Sequence, residues 1–240
     1  MDIILVPGFW LNASAWDAVT PPLVAAGHTV RPMTLPGMDS VEADRSGITL
    51  ADHVDAVVAA IDALPDDAEI VLVGHSGGGA VIHSAADRRP ARITRAVYTD
   101  SFPLGDGGAI NPDLPVVDGE IPLPDWSVFD EPDLAGLDDA LQARLRAMAI
   151  PTPARVASDP VRLTDERRYD VPTTVIACEY FGSFDGPRAM YEHFIAQDDP
   201  FTRELAAMRD CEIVELPTGH WPMFTRPVEL GEAIAAAVAR

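Results

Sequence analysis

The stretch from Ile70 to Val81 reads IVLVGHSGGGAV, with Ser76 between a histidine and three glycines at the point where an apolar run ends. Gly74-His75-Ser76-Gly77-Gly78 fits the pattern Gly-x-Ser-x-Gly, in which a serine sits at the tip of a sharp strand-to-helix turn and its hydroxyl is offered as a nucleophile. The flanking positions must lack side chains so that strand and helix can approach. A phosphate loop does not fit, because no Lys-Ser or Lys-Thr follows, and the glycine spacing is not that of a dinucleotide fingerprint.

A serine hydroxyl needs a base to take its proton, and that base is expected on a loop beyond a late strand. Among the six histidines, His220 in IVELPTGHWPMF alone follows a late strand and a glycine. His53, His83 and His193 fall in helical patterns, His28 opens a strand, and His75, next to the serine, is expected to point away. A tetrahedral intermediate further requires two backbone N–H donors. Gly77, directly after the serine, supplies one, and the loop VPGFW after the first strand supplies the other, from Phe9 or alternatively Trp10.

The elements that must position these groups alternate between short apolar runs and amphipathic helical stretches, the pattern of an α/β fold. DIILVPG, HTVRPMTL, EIVLVG, ITRAVYTD, VPTTVIACEY and CEIVELP read as strands. SAWDAVTPPLVAAG reads as a helix closed by Gly27, and TLADHVDAVVAAIDAL as one opened by Thr49 and Asp52 and stopped before Pro65. GGAVIHSAADRRP, GPRAMYEHFIAQ and a last helix from about Pro227 to Val238 complete the set. From Ser101 to about Asp170 the rhythm breaks into proline, glycine and acidic residues around one helical stretch, DDALQARLRAMA. So long an interruption in a compact domain is usually functional. The expected organisation is a core domain of residues 1–100 and 171–240 with a lid or cap insertion at 101–170.

The sequence holds 240 residues, 48% of them hydrophobic, enough for one substantial core. Thirty-eight acidic against 17 basic residues give a net charge of −21, which argues against nucleic acid or an anionic membrane as partner. No apolar run approaches the roughly 18 to 20 residues of a membrane span. Cys178 and Cys211 match no zinc pattern and read as reduced core thiols, which points to a cytoplasmic protein.

The segments LVPGFWLNASAWDAV, LVGHSGGGAV, AVYTDSFPL and ELPTGHWPMFTRPVELGEAI resemble the α/β-hydrolase superfamily, in particular small bacterial esterase-like members akin to plant methyl esterases and hydroxynitrile lyases. The resemblance implies a mostly parallel sheet of about six strands with helices on both faces, a Ser-His-acid triad, no metal or organic cofactor, and ester or related acyl chemistry. It leaves the acid open. The family's usual aspartate lies just after the penultimate strand, where this chain reads ACEYFGSFD and Phe181 takes that place. Asp100 is the first candidate, since some lipases of the superfamily carry their acid at the strand end after the elbow helix. Asp185 and Glu179 are the others.

Trp10, Trp126 and Phe129 are expected to line an apolar pocket for a small to medium, hydrophobic carboxylic ester or lactone. The alternatives are a hydroxynitrile-lyase-like or carbon–carbon bond hydrolase activity on the same fold, or a non-catalytic small-molecule receptor.

Overall fold

Uninterrupted apolar runs form the middle of a parallel sheet, because a strand covered by helices on both faces has no wet side. In the computed structural model, which describes residues 1–240, the chain begins with β1 (Asp2–Val6), α1 (Thr20–Ala25), β2 (Thr29–Pro32), α2 (Leu50–Asp62), β3 (Ile70–His75), α3 (Gly77–Arg88) and β4 (Ile93–Thr99). An insertion follows with β5 (Glu120–Ile121), α4 (Asp139–Met148), β6 (Thr152–Pro153) and α5 (Ala154–Ser158). The core resumes with β7 (Thr173–Ala177), α6 (Pro187–Ala196), α7 (Arg203–Ala206), β8 (Cys211–Glu215), α8 (Pro222–Thr225) and α9 (Pro227–Val238).

Six strands form one sheet in the order β2-β1-β3-β4-β7-β8, all parallel, while β5 and β6 pair separately and antiparallel. Every residue of β3 is buried, as its composition requires. The chain winds outward from β1 to β2 and then crosses back to β3, so the loops after β1 and β3 face one crevice at the strands' carboxyl ends. Open α/β sheets bind ligands in such a crevice. The loop after β1 carries Phe9, and the turn after β3 carries Ser76.

Local chemistry sets the helix boundaries. Thr49 caps α2 by accepting from the Asp52 N–H at 3.2 Å, and Asp52 returns a bond from the Thr49 N–H at 2.8 Å. The stretch expected as one helix from Ser14 to Ala26 is divided: a 3₁₀ turn covers Ala13–Trp16, and α1 starts only at Thr20. Pro21 and Pro22 explain the break, since proline is tolerated in a helix's first turn and disrupts its interior. Cys178 is buried as expected, whereas Cys211 is exposed because it opens β8, at the edge of the sheet.

The end of the insertion is tied to the back of α3. Asp87 is buried and accepts the backbone N–H groups of Thr164 and Asp165 at 3.0 and 2.9 Å. Arg168 reaches both Asp87 and Glu204, and Glu204 in turn accepts from Nε2 of the buried His83 at 3.1 Å. This network satisfies charges that would otherwise be costly to bury, and it fixes the helix that begins at the elbow.

Candidate active site

Ser76 lies between β3 and α3 with φ 51° and ψ −126°, a conformation that a residue with a side chain adopts at a cost of about 1–3 kcal/mol. Its neighbours make the turn possible. A Cβ on Gly74 would stand 2.6 Å from the Gly78 carbonyl oxygen, and one on Gly78 would stand 2.6 Å from the Val6 carbonyl oxygen. The backbone of the turn is held on both sides: the Ser76 N–H donates to the Thr99 carbonyl at 3.2 Å, and the Ser101 hydroxyl donates to the Ser76 carbonyl at 2.7 Å.

The imidazole of His220 reaches the serine from the loop after β8. Its Nε2 accepts from the Ser76 hydroxyl at 2.8 Å, and its Nδ1–H donates to Asp100 Oδ2 at 2.7 Å. The loop is anchored to the insertion, with the Gly219 and His220 N–H groups donating to the carbonyls of Ala135 and Asp133, each at 2.8 Å. His75 supports the same loop from behind, donating from Nε2 to the His220 carbonyl at 2.6 Å. It makes no hydrogen bond to the Ser76 hydroxyl, which is held by His220, and burial holds its pKa at about 3, so it is a neutral donor.

Asp100 follows β4 with φ 43° and is buried. Its second oxygen, Oδ1, accepts the N–H groups of Cys178 and Glu179, both at 3.0 Å, so three donors fix the carboxylate. The other candidate acids lie elsewhere. Asp185 is exposed and makes no bond to His220, while Glu179 has Oε2 3.6 Å from His220 Nδ1, beyond a hydrogen bond. Burial opposes a charge on His220, but the Asp100 hydrogen bond and the carboxylates of Glu179, Asp100 and Asp133 outweigh it and raise its pKa to about 9.

The two backbone donors expected at the oxyanion can be compared directly. Neither the Phe9 nor the Gly77 N–H has an acceptor within the protein. The Trp10 N–H, the alternative to Phe9, is occupied by the Thr152 hydroxyl at 2.9 Å. Thr152 and Ser101 carry no sequence signal of these roles, because each acts through a contact between distant segments.

The site opens on a cavity of about 550 Å³ lined by Trp10 and Phe129 and by further apolar side chains, among them Phe102, Leu104, Leu114 and Phe194. Phe181 and Phe201 also line it and are half exposed. Trp126 is a correction to the sequence expectation: it does not line the cavity. It packs behind Phe129 and against Trp221, with the Arg146 guanidinium 4.8 Å over its ring. The acidic groups Asp100 and Glu179 gather with His220 within 4.8 Å, but the free lone pair of the imidazole is directed at Ser76 rather than at a position a cation could share. The arrangement is an acid–base relay ending on a hydroxyl.

The profile of the alpha/beta hydrolase family matches residues 3–233. The chain belongs to the α/β-hydrolase family. This α/β-hydrolase is 29% identical to a carbendazim hydrolyzing esterase of Nocardioides, over 98% of each chain. It is also 35% identical to methylesterase 8 of Arabidopsis thaliana, over 41% of this chain and 37% of the plant protein, so it spans well under half of that relative's length in the match. Among solved structures, a methylesterase from Arabidopsis superposes with a TM-score of 0.76 over 100% of this chain and 99% of its own, at 19% identity, a likeness of fold.

Proposed function

We propose that this α/β-hydrolase cleaves small to medium, hydrophobic carboxylic esters or lactones through an acyl-serine intermediate. The observation that carries the reading is the hydrogen-bonded line from Ser76 through His220 to Asp100, opening on an apolar cavity. Names of its relatives, an esterase and a methylesterase, support an ester as the bond broken.

His220 Nε2 takes the Ser76 proton as Oγ attacks the carbonyl carbon, and the N–H groups of Phe9 and Gly77 stabilise the oxyanion. His220 then protonates the departing alkoxide as the carbon–oxygen bond breaks. A water molecule, deprotonated by the same imidazole, attacks the acyl carbon; the acid product leaves and Ser76 recovers its proton. Asp100 orients the ring and stabilises its charged form. Residues 101–170 act as a cap that supplies Phe102, Leu104 and Phe129 to the cavity wall. The charge of −21 supports a small molecule rather than nucleic acid as partner, and the two free thiols support a cytoplasmic setting.

Intact-mass analysis after treatment with a fluorophosphonate tests the reading. One adduct, lost in Ser76→Ala, together with hydrolysis of p-nitrophenyl butyrate, is expected. Absence of the adduct on folded protein overturns it. An adduct without ester turnover, but with cleavage of cyanohydrins or β-diketones, would move the activity to a lyase or a carbon–carbon bond hydrolase.

A further inference from the structure

Two carboxyls, not one, stand at Nδ1 of His220. Asp100 comes from the end of β4 and Glu179 from just beyond the end of β7, neighbouring strands in register at Thr99 and Ile176. Asp100 holds the hydrogen bond at 2.7 Å, and Glu179 Oε2 waits at 3.6 Å. That oxygen is shielded from solvent and has no hydrogen-bond partner, although the Asp133 carboxyl also stands beside Glu179 and helps to keep it protonated. The backbone N–H of the same Glu179 donates to Asp100 Oδ1, which couples the position of one carboxyl to the other.

We propose that Glu179 is a second positioning residue for His220, one that takes over the Nδ1 hydrogen bond when Asp100 cannot hold it. The inference rests on the hydrolase reading for its consequence in catalysis and on the structure alone for its geometry. Closing the gap needs a displacement of only about an ångström, well within the rotamer freedom of a half-buried glutamate. Charge regulates the exchange. The groups facing Glu179 are Asp100 from the end of β4, His220 from the loop after β8, Asp133 from the insertion, Tyr191 from α6 and the adjoining Cys178. Burial and the negative charge of Asp100 push the Glu179 pKa up, because two carboxylates beside each other resist ionising together. Removing the Asp100 charge lowers that resistance and frees Glu179 to ionise against the imidazolium. The side chain that replaces the lost partner therefore ionises more readily once that partner is gone.

The test uses the intact protein in four forms: wild type, Asp100→Ala, Glu179→Gln and Asp100→Ala/Glu179→Gln. Folding is checked by circular dichroism. The pKa of His220 is read by ¹⁵N imidazole NMR without substrate, and turnover of p-nitrophenyl butyrate is read as a function of pH. In Asp100→Ala the His220 pKa should stay above the ordinary histidine value and kcat should fall by no more than about a hundredfold. Adding Glu179→Gln should bring the pKa down and cost about a further hundredfold, approaching the ten-thousandfold typical of a lost triad acid. Equal pKa values and equal rates in Asp100→Ala and the double variant would overturn the proposal. The same pair built on Asp100→Asn, which retains an acceptor for the Cys178 and Glu179 N–H groups, decides the matter if the alanine variant does not fold. Because the NMR reading requires no hydrolysis, a wild type that fails to cleave the ester would count against the hydrolase reading and leave the Glu179 result separately legible.

Discussion

His75 Nε2 donates to the backbone carbonyl of His220 at 2.6 Å, so the residue beside Ser76 braces the loop that carries His220. The two rings lie 5.0 Å apart between centroids. Replacing His75 by phenylalanine retains the ring volume and removes the donor. We expect kcat to fall by about ten- to a hundredfold with KM nearly unchanged, since a small displacement of the base acts on the chemical step. A matching rise in KM would show that the brace serves binding instead.

The raised pKa of His220 sets a direction for pH dependence. In the proposed mechanism neutral imidazole accepts the serine proton, and the protonated form persists up to about pH 9. The kcat/KM profile should therefore climb from pH 6 with an inflection near 9. Asp100→Asn removes the hydrogen bond that lifts the pKa and should shift the inflection downward. A profile already flat above pH 7 would contradict this assignment.

Gly77 tests the oxyanion donors without deleting a backbone group. A Cβ there would stand 2.8 Å from Cε1 of the Phe9 ring, so Gly77→Ala must displace that ring and strain the loop that carries the Phe9 N–H. Loss of one aligned donor typically costs about a hundred- to a thousandfold in kcat. Steady-state kinetics on a folded Gly77→Ala variant would read the effect, and retention of more than a tenth of the activity would argue that Phe9 contributes no donor.

Phe129 and Trp126 separate pocket from scaffold. Phe129 touches the cavity, whereas Trp126 lies behind it beneath Arg146. Phe129→Ala should raise KM for aryl esters several-fold. Trp126→Ala should lower the melting temperature, consistent with about 3 kcal/mol or less for a half-buried aromatic, and leave KM close to that of wild type.

Acid stability has a specific contributor in His53. Burial holds its pKa at about 4, below the ordinary 6.5, while its Nε2 donates to the Pro36 carbonyl at 2.9 Å. Below pH 6.5 the unfolded chain takes up a proton that the folded one refuses. Stability present above that pH is thus lost as the pH falls towards 4, by up to about 1.4 kcal/mol per pH unit. In urea titrations at several pH values, His53→Gln should show a shallower decline than wild type.

Sequence and structure agree most where a residue's role depends on its immediate neighbours. The run IVLVG, the glycines around Ser76 and the Thr49–Asp52 cap declare their conformations through local pattern alone. The strands of the sheet followed from the same kind of signal. The carboxyl that bonds His220 could not be singled out that way, because Asp100 meets His220 across 120 positions of sequence. Thr152 and Ser101 carry no local signal for the same reason, and an aromatic in a proline-rich stretch, such as Trp126, bears no mark of which side it turns to the cavity. The divided first helix was a different matter: Pro21-Pro22 signalled it, but the apolar spacing around the pair suggested continuity.

The hydrogen bonds from Gly219 and His220 to Ala135 and Asp133 tie the segment after β4 to the loop that carries His220, and the same segment lines the cavity. Evolution cannot freely exchange such a segment to acquire a new substrate. A chimera that imports residues 101–170 from a relative would inherit its preference only if the incoming backbone again offers two carbonyls where Asp133 and Ala135 now stand, since otherwise the base would drift as the specificity changed.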